Sequence, residues 1–223
     1  MIKGTRSDRG QAFPIYIVMV AGLLFLAFAF FAVGKASATR NGAQGAADAA
    51  ALAAAQQARD EIGPAFLGAL LLPGGLNDFF GDHYISGAPC NQAQRFAADN
   101  RADVVGGCEW RSGYQRDEVT VRVKTRDTVG DTVIPGTETR HATAEATAVI
   151  EFRCSWKPAE KPEESTGPLP DEDEDKDEDD KEEAPGPFTF DCDGRNRFEI
   201  DPLHPDPWAE LGKALFAVHL TDD

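Results

Sequence analysis

The chain has no surplus of basic residues: 22 Lys and Arg stand against 38 Asp and Glu over 223 residues, a net charge of −16. Nothing in that balance would neutralise a phosphate backbone, so nucleic acid is not an expected partner. Charge of either sign is missing between Arg9 and Lys35, which excludes a solvated loop there. Cysteine is scarce, four residues in all, and none precedes Cys90. No C-x-x-C or H-x-x-x-H spacing joins them to the scattered His83, His141, His204 and His219, which argues against zinc. No G-x-S-x-G elbow, glycine-rich phosphate loop or H-E-x-x-H is present. No catalytic set and no cofactor can therefore be named, and a non-enzyme is expected.

What is present begins with the uncharged stretch. Phe13 to Val33 reads FPIYIVMVAGLLFLAFAFFAV, and as a helix its residues span about 31 Å, the thickness of a bilayer core. Pro14 falls in the first turn, where its missing N–H is not needed, and Tyr16 lies near one interface. Lys3, Arg6 and Arg9 precede the span and Lys35 and Arg40 follow it. The balance favours a cytoplasmic N-terminus and an extracytoplasmic remainder, a single pass through the cell membrane with lipid as the helix's surroundings. A cleaved secretory signal is the competing reading, since Ala36-Ser37-Ala38 fits a cleavage site. The apolar stretch exceeds the usual signal core of about 7–15 residues, which favours retention.

Cysteine placement agrees. Cys90, Cys108, Cys154 and Cys192 all follow the span, and an even number in an exported domain points to two disulfides. Three pairings are open; Cys90 with Cys108 and Cys154 with Cys192 close the shortest loops and are favoured for that reason.

From Gly34 to Ile62 the chain has no proline and is dominated by alanine, the best helix former. The membrane helix is expected to continue as one rod to Glu61, ending at Pro64. Small residues recur at Gly34, Ala38, Gly42, Ala46, Ala50 and Ala54, a ladder that would let another helix approach closely. Few large apolar side chains accompany it, so the segment needs something packed upon it to stay helical in water.

Beyond it the period changes. Asn91 to Val105 reads as a short helix stopped by Gly106-Gly107, while Val119, Val121 and Val123 alternate with polar residues as a half-buried strand. Thr143 to Cys154 alternates again, with Ala144, Ala146, Ala148, Ile150 and Phe152 on one face. The expected fold class is α+β: a long N-terminal transmembrane helix, then a small extracytoplasmic domain with an antiparallel sheet, then a disordered acidic segment. The expected divisions are a cytoplasmic tail at 1–12, the transmembrane helix at 13–33, its Ala-rich extension at 34–62 and the α+β domain at 63–156. An acidic linker at 157–187 and a C-terminal unit at 188–223 follow. In that last unit Phe188, Phe190 and Cys192 read as an edge strand, and Trp208, Leu211, Leu215 and Phe216 as one side of a helix opened by Asp206-Pro207.

The tract from Asp171 to Glu183 holds eleven acids and two lysines; removing its −9 from the total of −16 leaves −7. Asp171, Asp173, Asp175, Asp177, Asp179 and Glu182 match the ligand positions of a calcium loop, but Lys176 stands where that loop needs glycine. Weak condensation of divalent cations, or plain solvation and spacing, is the expected role. A rival functional class follows from it: an exported cell-surface binding or sensing module with an acidic cation-binding loop.

Arg9-Gly10-Gln11 before the span, and the run from Arg40 to Ala55, RNGAQGAADAAALAAA, resemble the TadE/TadG-like proteins of Flp (tight adherence) pilus assembly. Arg95 to Asn100, Cys108 and the Val119 to Val123 strand look like a later stretch of the same group, so the likeness covers roughly residues 9–154. The resemblance implies a non-enzymatic, pilin-like accessory protein whose N-terminal helix meets pilin-like or secretion-apparatus proteins. Prepilin-peptidase substrates resemble a Gly followed by a helix with Glu at its fifth position; here that position is Ile15.

Overall fold

The computed structural model describes residues 12–81, 89–158, 186–194 and 196–221. Its first element is a single helix, α1 (Ala12–Glu61), unbroken through Gly34, Gly42 and Gly45. Alanine propensity carries the helix across these glycines. A turn at Ile62 leads into α2 (Gly63–Leu70), with Pro64 in its first turn, and then α3 (Gly75–Gly81) and α4 (Pro89–Asp99).

The strands follow as β1 (Ala102–Arg111), β2 (Arg116–Thr128), β3 (His141–Phe152) and β4 (Cys154–Pro158). After the acidic region come β5 (Phe188–Cys192), β6 (Asn196–Ile200), α5 (Trp208–Leu215) and β7 (Phe216–Leu220). They form two antiparallel sheets, a four-stranded one in the order β1-β2-β3-β7 and a three-stranded one in the order β4-β5-β6. The fold is α+β, a long apolar helix leading into a small antiparallel domain.

Register explains which face is covered. Val119 stands opposite Ala148, Val121 opposite Ala146 and Val123 opposite Ala144, so one side of the pleat is apolar. The C-terminal half of α1 lies across that side of β2 and β3, with α4 alongside. On the opposite face Thr120 and Thr147 share a hydroxyl hydrogen bond of 2.8 Å, and Arg122 Nε donates to Glu145 at 2.7 Å. Phe66 of α2 is fully buried within an aromatic group of Phe79, Phe80, Phe152, Phe190, Trp208 and Phe216, with ring centroids 5.5 to 6.5 Å away. This group joins α2, α3, both sheets and α5 into one core.

Several expectations are corrected here. The helix expected over 91–105 ends at Asp99, where Asn100 Nδ2 caps Phe96 O at 2.8 Å and Arg101 turns the chain with φ 57°. Val104 and Val105 are already strand, as suits β-branched side chains. Gly106 and Gly107, at φ 78° and 93°, form a bulge that shifts the register between Val104 and Cys108 instead of stopping a helix. Phe188 to Cys192 is the central strand of its sheet, not an edge, because the unforeseen β6 pairs on its far side. The last helix stops at Leu215, and Phe216 begins β7, which completes the sheet beside β3. Phe190, Trp208 and Phe216 of this C-terminal part thus pack around Phe66, and β7 pairs with β3. Lys157 and Pro158 pair with Thr189 and Phe188 as the end of β4, and the acidic tract 171–183 lies outside the described residues.

Candidate functional site

Helix α1 has two halves of opposite character. From Phe13 to Phe31 its large apolar side chains stand bare; Phe13 is 71% and Phe30 75% exposed. Among the described residues it is the one helix long and apolar enough to cross a membrane, and the apolar stretch is almost entirely uncovered by the rest of the chain. A core helix of a water-soluble domain would have that surface buried.

From Ala43 onward the same helix is interior. Ala43, Ala46, Ala47, Ala50, Ala51, Ala54, Ala55 and Ala58 are buried, and their spacing of three and four residues traces one face. Methyl-sized side chains let the helix axis settle close to the pleat, where the valines and alanines of β2 and β3 fill the space. The small-residue ladder is therefore divided. Gly34, Ala38 and Gly42 are exposed, whereas Ala46, Ala50 and Ala54 lie in the core against the chain's own sheet and α4. The covering that this segment needed comes, over its second half, from the same chain, and only the first three rungs face outward.

Polar contacts fix the helix on the domain. Gln44 Nε2 donates to Asp48 at 2.8 Å and to the backbone oxygen of Glu145 at 3.4 Å; Asp48 is half-buried under this glutamine. At the far end Trp208 Nε1 donates to Arg59 O at 3.0 Å, satisfying one of the last-turn carbonyls that a helix leaves open. Arg153 donates to Lys213 O and Ala214 O at 3.0 and 3.2 Å, doing the same for α5. Neither tie is signalled in the sequence, because the partners stand far apart in it.

The disulfides are Cys90–Cys108, joining α4 to the β1 bulge, and Cys154–Cys192, joining opposed positions of β4 and β5. The histidines do not converge: His141 Nδ1 lies 2.7 Å from Thr125 O, His204 sits beside Asp201, His219 is on β7, and His83 lies outside the described residues. Among the described residues no three His, Cys, Asp or Glu side chains gather as a metal site. The calcium-loop positions in 171–183 fall outside them.

Among the described residues, electrostatic perturbation is confined to exposed surface groups. Arg126 donates to Asp103 at 2.7 and 2.9 Å and holds that carboxyl below the usual carboxylate range, while Asp103 raises Arg126 in turn. Asp201 is lowered chiefly by the backbone N–H of Leu203, then by His204. Such pairs brace loops and strands; neither stands in a cleft with other reactive groups.

Residues 10–57 match the family model described as Putative Flp pilus-assembly TadE/G-like. The matched region is nearly the whole of α1, bare half and buried half together; the likeness read further along, over Arg95 to Val123, lies beyond it. No curated protein and no solved structure matches the chain.

Proposed function

We propose that this chain is a non-enzymatic, membrane-anchored accessory protein of a pilus-assembly or related secretion apparatus. Its N-terminus is cytoplasmic and its disulfide-braced domain lies outside the cell membrane. The observation that carries the reading is the division of α1. The part of the chain similar to the pilus-assembly family is nearly all of one helix, whose large apolar side chains stand exposed from Phe13 to Val33 and whose second half is built into a domain. Lipid would cover Phe13 to Val33. The exposed Gly34, Ala38 and Gly42 would then meet pilin-like helices just outside the bilayer, where small side chains permit close approach. Two disulfides fit an oxidising compartment, and the three N-terminal cations fit the cytoplasmic side.

Two measurements test it. The intact mass of membrane-extracted protein should include residues 13–33, whereas a mature chain starting near Thr39 would refute the anchor. Replacing Ala38 and Gly42 together by leucine should reduce recovery of pilus or secretion components after crosslinking, and undiminished recovery would refute the helix-packing role. The rival binding or sensing module is distinguished by deleting 171–183. Loss of cation or ligand binding with assembly intact would favour that module.

A further inference from the structure

The β2–β3 connection carries an apolar pair that the core does not use. Val133 and Ile134 are 52% and 51% exposed at its tip. The loop does not project freely from the domain. Asp131, Thr132 and Val133 face Ala27, Phe28 and Phe31 of α1 across a crevice of about 540 Å³. Lys35 Nζ comes so close to the loop that a β-carbon on Gly130 would lie 2.8 Å from it. The same ammonium stands 5.9 Å from the centre of the Phe31 ring. Between Phe13 and Gly42, Ala32 alone is buried, at the level where the loop meets the helix. The loop therefore reaches back beside the last turns of the apolar stretch. Ala27 lies about 9 Å along the helix from Val33, so residues level with Ala27 to Phe31 would sit within the outer boundary of a bilayer core.

The backbone of the tip is prepared for such a place. Ile134 N donates to Thr132 Oγ1 at 3.1 Å, and Ile134 O accepts from Thr137 Oγ1 at 3.0 Å. Thr132 and Thr137 are joined to each other at 3.0 Å, and Pro135 has no N–H to satisfy. The tip thus presents two branched apolar side chains, with the polar groups of Ile134 already bonded within the loop, which lowers the cost of placing it near lipid. Asp131 on the loop and Lys35 on the helix limit the depth, since charge is costly below the headgroups.

The geometry points to a second membrane contact: the Val133-Ile134 tip dips into the outer leaflet beside Phe28 and Phe31, and the domain is held against the bilayer at two places. Lipid is the occupant because the tip continues the bare apolar surface of the helix. The inference rests on the anchored reading of α1. Its function would be to set the height and tilt at which Gly34, Ala38 and Gly42 are offered to a partner, since a helix held only by its own span could rotate about its axis.

The test uses the full chain in phosphatidylcholine vesicles. All four native cysteines are paired, so Ile134→Cys adds a single free thiol for an environment-sensitive fluorophore. A label there should shift to the blue and be quenched by lipid bearing a nitroxide near the headgroup, but hardly by aqueous iodide. A label at Leu24→Cys should be lipid-quenched if the anchor is right, and one at Ser112→Cys, on the turn at the other end of β2, should be quenched by iodide. Lipid quenching at 24 with iodide quenching at 134 overturns the loop contact and leaves the anchor standing; iodide quenching at both overturns both. In the unmodified chain, a lipid carrying a shallow diazirine should leave adducts on residues 133–135 after illumination. Adducts restricted to the helix would overturn the proposal even where the labelled variant fails to fold.

Discussion

The indole of Trp208 is seated directly on Gly63: a β-carbon on that glycine would fall 2.6 Å from Trp208 Cγ and Cδ2, while the indole N–H reaches Arg59 O at 3.0 Å. One side chain from the last helix thus closes the end of the first and occupies the space that a missing side chain leaves at the start of α2. Gly63→Ala should force the ring away and lower stability by about 1–3 kcal/mol, the usual range for overpacking. Trp208→Ala should cost about 3–5 kcal/mol and Trp208→Phe, which loses mainly the N–H, about 1 kcal/mol. Urea unfolding of the detergent-solubilised chain, followed by near-ultraviolet dichroism, gives the order; a Gly63→Ala variant as stable as the parent contradicts the close seating.

The divided ladder predicts opposite behaviour when leucine replaces a small residue in its two halves. Ala50→Leu enters a fully buried position and should destabilise the domain by about 1–3 kcal/mol. Gly42→Leu meets nothing within 4 Å and should leave the unfolding midpoint unchanged or slightly raised, since leucine favours helix over glycine. If Gly42→Leu unfolded the domain as readily as Ala50→Leu, the two halves of the helix would not differ as described.

Peptide mapping without reduction should recover Cys90 joined to Cys108 and Cys154 joined to Cys192. Replacing each pair by serine should lower stability by about 3 and 4 kcal/mol respectively in the chain-entropy account. A crosswise pair, such as Cys108 with Cys154, would show that β1 and β4 are not placed as found.

Acid should weaken the domain in part through Asp103. Its folded value is depressed by Arg126, so its contribution is present above the unfolded value of about 4 and is lost as the pH falls through the folded value. Both groups are exposed, and the effect is small. Asp103→Asn should flatten the decline of the urea midpoint between about pH 2 and 5, and high salt should do likewise. A decline as steep in the variant as in the parent would assign acid sensitivity elsewhere.

Local chemistry was enough to read the membrane-length stretch, the alanine helix and its end near Pro64, and the alternation of Val119 to Val123 and Ala144 to Phe152. It was not enough for β1, where two glycines that resemble a helix stop make a bulge instead. Nor did it reveal β7: Phe216 to Leu220 becomes a strand because β3 offers an open edge, a condition set by residues about seventy positions earlier. The helix face is the clearest case. Eight identical methyl side chains carry no mark of whether a neighbour is another protein or the chain's own sheet.

By itself the sequence determined those features in which each residue's conformation depends on its near neighbours: the apolar span, the rod and the alternating strands. Tertiary structure alone decided which rungs of the small-residue ladder are covered, which strand completes the sheet and where the Val133-Ile134 tip lies against the helix. Covering and pairing join segments far apart in the chain, and a uniform surface of methyl groups takes its partner from whatever topology brings within reach.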